Sequence, residues 1–353
     1  MRATLSTMSK HRLFWPVAVL VVLLLSNLAF TPGFFRIEVR QGQLYGSLID
    51  ILRFGAPLIL VALGMTLVIA TGGIDLSVGS VVAISGALAC FLISKEADQN
   101  AFSGVVWAVA LSLVLALVLG LWNGLLVAGV GIQPIVATLI LMVAGRGLAQ
   151  LITNGQIITI NSSPYEVIGT GYELGIPIPV YIAAVVAAAA VLLTRRSALG
   201  MLIESVGGNA EASRLSGIRA RQIKLMAYVF CGLCAGIAGL IVSSNVHSAD
   251  GNNAGLFIEL DAILAVVIGG TSLLGGRFSI GGTVLGALII QALSTTIYTI
   301  GVPPEITLLV KALVVTAVCL IQSPAFRAKV FHRRSRPPAQ APADEQPKVE
   351  VPV

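Results

Sequence analysis

The sequence predicts an all-α, polytopic membrane protein with about ten transmembrane helices, some short or discontinuous. Three observations lead there. Of 353 residues, 56% are hydrophobic and 11% are charged, whereas a soluble domain carries roughly 25% charged residues. Apolar runs of about a membrane's width, ~20 residues each, recur along the chain. The 22 Lys and Arg residues gather in a few segments, as in cytoplasmic loops and unlike a nucleic-acid-binding face. Membrane lipid is therefore an expected partner and nucleic acid is not.

The first run, 13–30, follows Lys10 and Arg12. It is longer than a usual signal core and lacks a small-x-small cleavage site, so it reads as a retained span. Further runs fall near 51–70, 76–93, 105–130, 134–152, 179–193, 225–242, 260–270, 280–300 and 306–321. The sixth, eighth and tenth are shorter than the ~17 residues a crossing helix needs. They must extend into their flanks or be broken helices.

Charge placement orients these runs. With the N-terminus inside, sixteen of the 22 cations fall in cytoplasmic segments, and only Arg36, Arg40 and Lys95 lie outside. Arg53, Arg146 and Lys311 fall within spans. That asymmetry predicts an even number of spans with both termini cytoplasmic. Residues 1–12 then form a cytoplasmic N-terminus, and 13–322 a transmembrane domain with a cytoplasmic loop at 194–224. Residues 323–353, basic and then rich in proline and acid, form a tail expected to be disordered.

Between the second and third runs stands Ala70-Thr-Gly-Gly-Ile-Asp-Leu-Ser-Val-Gly-Ser80. Gly72 and Gly73 stop one helix, because glycine takes backbone shapes that other residues avoid. Asp75 is placed to cap the next helix by accepting its free N–H groups. The same turn at membrane depth would line or gate a path, with Gly72, Gly73, Asp75 and Ser77 as its residues, since irregular backbone there must be buried in protein or face a cavity. The two roles are compatible. A partial echo occurs at 268–282, where Gly269, Gly270, Gly275 and Gly282 repeat parts of the pattern. Repeats of this kind are common in transporters.

Small residues spaced four apart, Gly120 with Gly124, Gly232 with Gly236 and Gly282 with Gly286, permit close helix contacts. Cys231 and Cys234 spell Cys-x-x-Cys but lack a βαβ setting, so they read as packed small residues. The three histidines, far apart, show no metal-ligand spacing. In the loop at 194–224, Asn209 is a good N-cap, Glu211 suits a first turn and Gly217 a helix stop. A short helix of about two turns is predicted there. It either docks into a partner's groove or is a plain surface helix. The charges within spans, joined by Asp261, either pair among themselves or meet a docking partner or a passing polar solute. The phosphate-binding Gly-x-x-x-x-Gly-Lys-Ser/Thr loop is missing from the sequence, and no catalytic constellation stands out. The chain therefore reads as no enzyme and needs no cofactor.

Gly64 to Gly79, containing Ala70-Thr-Gly-Gly-Ile-Asp-Leu-Ser, resembles the signature of the ribose-type sugar permeases, membrane subunits of bacterial ATP-binding-cassette importers. Trp122-Asn123-Gly124, Gln133-Pro134 with Thr138, Gly207-Gly208-Asn209 with Ala212 and Gly217, and Ile268-Gly269-Gly270 resemble later blocks, in the family's order. Ala144-Gly145-Arg146-Gly147 with Gln150, and Asn252 to Leu256 before Glu259-Leu260-Asp261, resemble the galactofuranose branch. The resemblance implies a permease in the bacterial inner membrane. Its partners would be a cytoplasmic ATPase subunit, a second permease subunit, identical or paralogous, and a periplasmic sugar-binding protein. It implies a path or gate at Gly72, Gly73, Asp75, Ser77, Asn123, Gln133, Thr138, Gly269 and Gly270. It implies ATPase coupling through Gly200, Glu204, Gly208, Asn209, Ala212 and Gly217. The alternative from a different class is an ATPase-independent transporter or facilitator of a small polar solute.

Overall fold

The computed structural model describes residues 14–30, 33–301 and 303–322. The predicted N-terminal segment 1–12 and tail 323–353 lie outside the described residues. The chain opens with α1 (Phe14–Phe30), a short hairpin of β1 (Glu38–Arg40) and β2 (Gln43–Tyr45), α2 (Ser47–Ala70) and α3 (Val78–Lys95). Next come α4 (Phe102–Gly124), which continues as a π-helical turn over Leu125–Val130, α5 (Pro134–Ile152), β3 (Ile158–Thr159) and α6 (Ser163–Thr170). A hairpin of β4 (Tyr172–Glu173) and β5 (Ile176–Pro177) leads to α7 (Ile178–Arg195), α8 (Leu199–Gly208) and α9 (Ala210–Leu215). The chain then passes through α10 (Ala220–Asn245), β6 (Ser248–Ala249), α11 (Ile258–Ile268), α12 (Ile280–Ile300) and α13 (Pro304–Gln322).

All ten predicted runs are helical. Among the described residues, seven helices are long and apolar enough to cross a membrane: α2, α3, α4 with its π extension, α5, α7, α10 and α12. The short sixth and tenth runs grow to 18 and 19 residues as α7 and α13. The eighth remains short: α11 has 11 residues, about 16 Å of helix.

The strand pairs gather at one end of the bundle. β3 pairs antiparallel with β6, and the Leu44 amide of β2 donates to Gly175 in the β4–β5 turn at 3.0 Å. The opposite end carries α8 and α9. α2 and α3 bury most of their length, and α10 and α12 more than half. α4, α5 and α7 leave most of their apolar surface uncovered, as expected of helices that face lipid or another chain.

Close backbone contact explains the small-residue spacings. A Cβ at Gly232 would lie 2.6 Å from the Ala116 carbonyl oxygen and 2.9 Å from Gly120 Cα, so α4 and α10 touch along Gly120 and Gly232. A Cβ at Gly282 or Gly286 would overlap the carbonyl of Gly269 or Ala265, which presses α12 onto α11. Cys90, Cys231 and Cys234 are buried free thiols. A Cβ at Gly64 would lie 2.7 Å from Cys231 Cα, which is packing and not redox chemistry.

Candidate functional site

The two glycine turns share one backbone form. After α2, Gly72 takes φ +81°, its N–H donates to Ile69 O at 2.9 Å, and the Gly73 N–H donates to Val68 O at 3.1 Å. After α11, Gly270 takes φ +86°, with its N–H to Val267 O at 2.9 Å and the Thr271 N–H to Val266 O at 3.2 Å. Both are the left-handed helix stop in which two backward bonds satisfy the last carbonyls. A hydroxyl bridge of 2.7 Å between Thr66 and Thr283 ties α2 to α12 near these turns.

Beyond the first turn, Asp75 organises a polar node. Its Oδ1 accepts from the Ser77 N–H at 3.0 Å, the Ser77 hydroxyl at 2.6 Å and Asn123 Nδ2 at 3.3 Å. Asn123 Nδ2 also donates to Ser77 Oγ at 2.8 Å. Asp75, Ser77 and Asn123 are all buried, and Asn123 Oδ1 lacks a hydrogen-bond partner. Ser77, not Asp75, is the cap residue of α3, and no side chain caps its free amides; Asp75 instead closes the turn before the helix by accepting the Ser77 amide, while drawing a residue from α4 into it. Its named hydrogen-bond donors are neutral groups. Tyr228 of α10 bounds the turn from the other side, since a Cβ at Gly73 would sit 2.6 Å from its hydroxyl. Tyr228 lies about 12 Å along α10 from Ala220, so the turn is well inside the bundle.

A second cluster adjoins the first turn and is built almost wholly of backbone. The Gly276 N–H donates to Ala70 O at 2.9 Å. A Cβ at Gly207, in the last turn of α8, would overlap that same carbonyl oxygen and lie 2.5 Å from Gly276 N. A Cβ at Gly275 would lie 2.8 Å from Gly207 O and 3.1 Å from Gly72 Cα. The opening turn, its echo and the predicted coupling segment therefore meet at one point.

The other predicted residues distribute as follows. Thr138 is buried, with its hydroxyl 2.9 Å from Pro134 O and 3.4 Å from Ile74 O, so it borders the node. Gln133 is exposed at the cap position of α5, outside the node. Gly269 packs on Gly282 and exposed Gly270 follows it in the second turn. In the 194–224 segment the short helix predicted between Asn209 and Gly217 is α9, and a further helix, α8, precedes it. Asn209 between them accepts from the Glu211 and Ala212 amides at 3.1 and 2.9 Å, and Gly217 ends the unit with φ +84°. Gly200 is buried against Thr194 O, Glu204 is half-buried, and Gly208 and Ala212 are exposed. Hydrogen bonds from the Arg214 guanidinium, with its charge, hold the Glu211 carboxyl below its usual range.

The charged residues in the spans are mostly satisfied within the chain. Lys311 pairs with Asp261 at 2.7 Å. Arg53 Nη2 donates to Asn245 Oδ1 at 2.6 Å. Arg146 Nη1 donates to the Ala254 carbonyl at 2.7 Å, and Gln150 Nε2 to Asn252 Oδ1 at 2.7 Å. The two blocks that resemble the galactofuranose branch are thus bonded to each other. Sequence reasoning misses Gly207, Tyr228 and Glu259 as site residues. Glu259 is buried, with its carboxylate against Gly79 of α3. An acid opening an apolar helix just after Asn252-Asn253-Ala254-Gly255 was the signal for it; Gly207 and Tyr228 had none beyond their motifs. Among the described residues, His, Cys, Asp and Glu form no group that could hold a metal ion.

Residues 47–319 match the family model described as the branched-chain amino acid transport system / permease component. Over 337 residues the chain is 50% identical to the galactofuranose transporter permease protein YtfT of Escherichia coli (strain K12), covering 94% of this chain and 97% of that one. It is 41% identical over 319 residues to the fructose import permease protein FruF of Bifidobacterium longum (strain NCC 2705), covering 88% of each. It is 38% identical over 311 residues to the ribose import permease protein RbsC of Escherichia coli (strain K12), covering 87% of this chain and 92% of that one. No solved structure matches the chain.

Proposed function

The chain belongs to this family of transport permeases, as a multi-pass permease subunit of the sugar-importing kind, and from that premise we propose how it works and what it carries. Its sugar is a galactofuranose-like monosaccharide. The 50% identity to a galactofuranose permease over nearly the whole chain carries that reading.

A periplasmic binding protein delivers the sugar to the hairpin end, which the charge asymmetry orients outward. A second permease, identical or paralogous, covers the exposed apolar faces of α4, α5 or α7. A cytoplasmic ATPase seats on α8 and α9, whose exposed Gly208 and Ala212 leave room for a partner surface. The glycine contact at Gly207 is rigid, because no side chain separates the backbones. A push on α8 therefore reaches the ends of α2 and α11 together, and from there the node at Asp75, Ser77 and Asn123. In this account Gly72, Gly73, Gly269 and Gly270 are the joints, and the buried node and Thr138 border the path. Gln133 stands further out, at the start of α5.

Reconstitution with the ATPase, the partner permease and the binding protein tests this. A Trp at Gly208 or Ala212 should leave folding and insertion intact and cut sugar uptake per ATP hydrolysed by about an order of magnitude or more. Unchanged uptake would remove the coupling role. ATP-independent uptake by this chain alone would overturn the importer reading.

A further inference from the structure

A cavity of about 350 Å³ opens at the hairpin end, between α2, the end of α10, the 246–257 segment, α11 and α12. This lies within the roughly 300–1,000 Å³ range of small-molecule sites. Its polar lining comes from Arg53, Asn245, Asn253, Asp261 and Gln291, and Phe54 adds an aromatic ring. We infer that this cavity is a binding site for one neutral monosaccharide, entered from the side where the binding protein docks. The inference rests on the importer reading and deepens it.

Four observations carry it. First, the lining is hydrogen-bonding and its charges are balanced: Lys311 pairs with Asp261, and the Asp50 carboxylate lies within electrostatic reach of Arg53. That lining suits a polyol and gives an anion no net attraction. Second, Arg53 uses Nη2 on Asn245, but its Nε is buried without a partner, so a donor is left for a ligand oxygen. An unsatisfied buried donor costs about 1–3 kcal/mol, and a sugar hydroxyl removes that cost. Third, Gln291 stands near the middle of α12 against Gly55 of α2, and its Nε2 donates a long bond of 3.4 Å to Thr295 Oγ1 that a sugar hydroxyl can replace. Fourth, the cavity wall is held in strained backbone. His247 and Phe257, at the ends of the 246–257 segment, take φ +52° and +63°, conformations that bulky residues keep only where the surroundings impose them. Arg146 fastens this wall from behind through the Ala254 and Gly251 carbonyls. A change in the wall is then a change in sugar selectivity made by the permease itself.

The test uses the whole transporter in right-side-out vesicles with Cys319→Ser, the other three thiols being buried. Gln291→Cys is labelled from outside with a membrane-impermeant methanethiosulfonate ammonium reagent. Neutral D-galactose, D-ribose and D-fructose and anionic D-galacturonate are tried as protectants. We expect labelling, slowed saturably by at least one neutral sugar, to about a tenth of its rate, and not by galacturonate. Asn253→Cys, on the exposed segment, gives the same readout if Gln291→Cys misfolds. Gln291→Ala should raise the KM of ATP-driven uptake about three- to tenfold at unchanged membrane abundance. No labelling from outside, or protection by none of the neutral sugars, or equal protection by galacturonate, overturns the site. If those results accompany normal ATP-driven uptake, the cavity alone fails. If wild-type uptake needs no ATP, the importer reading fails, and the protection data still decide the cavity.

Discussion

The two ends of α2 are built on opposite principles. At Ala70 the helix runs into backbone: Gly207 and Gly275, packed against Ala70, Gly72 and Gly276, leave no space for a single added carbon. At Arg53 the same helix lines an open, hydrated-sized space edged with amides and charges. A transporter needs both kinds of surface on one rigid rod. Motion is transmitted where nothing can yield, and a solute is recognised where side chains can reach it. Largely apolar and mostly buried, α2 links the two.

The largest expected effect lies at the tight end. Gly207→Val must displace the Ala70 carbonyl, and overpacking of this kind costs about 1–3 kcal/mol. A lower thermal midpoint of the detergent-solubilised protein and loss of ATP-driven uptake should follow. Wild-type values for both would mean that the contact yields, and the contrast between the two ends would break. A middle effect is expected at the node. Asp75→Ala leaves the Ser77 amide and the Ser77 hydroxyl short of an acceptor, roughly 1–3 kcal/mol. Asp75→Asn keeps an oxygen there and should melt close to wild type. Equal melting of Ala and Asn would show that the node bears little of the packing. If both fold and neither transports, the carboxylate itself serves the path. The smallest effect belongs to Asn209→Ala. Losing the cap of α9 costs about 1 kcal/mol in a segment remote from the core. Faster amide exchange at residues 210–215 with an unchanged global melt is the expected result, and unchanged exchange would deny the cap.

The helices were readable because apolar length is a one-dimensional property. The limits of α5 and α12, set by Pro134 and by the Ser279 cap and Gly301, coincide with the sequence reading. Asn209 and Gly217 announced α9, because capping is local chemistry. Asp75 was visible as a lone carboxylate among apolar runs, but the amide it accepts is that of Ser77, the residue before α3, and not one of the helix's own free amides. Its partner Asn123, 48 residues away, was marked only by its motif. The convergence of Gly72, Gly207 and Gly275 was not legible, for glycine leaves no periodic signature of which backbone will approach it. The cavity was less legible still. Its polar residues come from five separate segments, and each alone reads as an isolated charge or amide.

The shortness of α11 has an electrical consequence. A helix of 11 residues starting at Ile258 begins inside the bundle, with its free amides and a partial charge of about +0.5 at its start. Left alone, that start would attract anions into the protein's interior. Glu259 and Asp261 stand in this first turn, so the helix's own acidic side chains oppose that field, with Lys311 pairing Asp261. The broken span can therefore present a polar surface to a passing solute without acting as an ion trap.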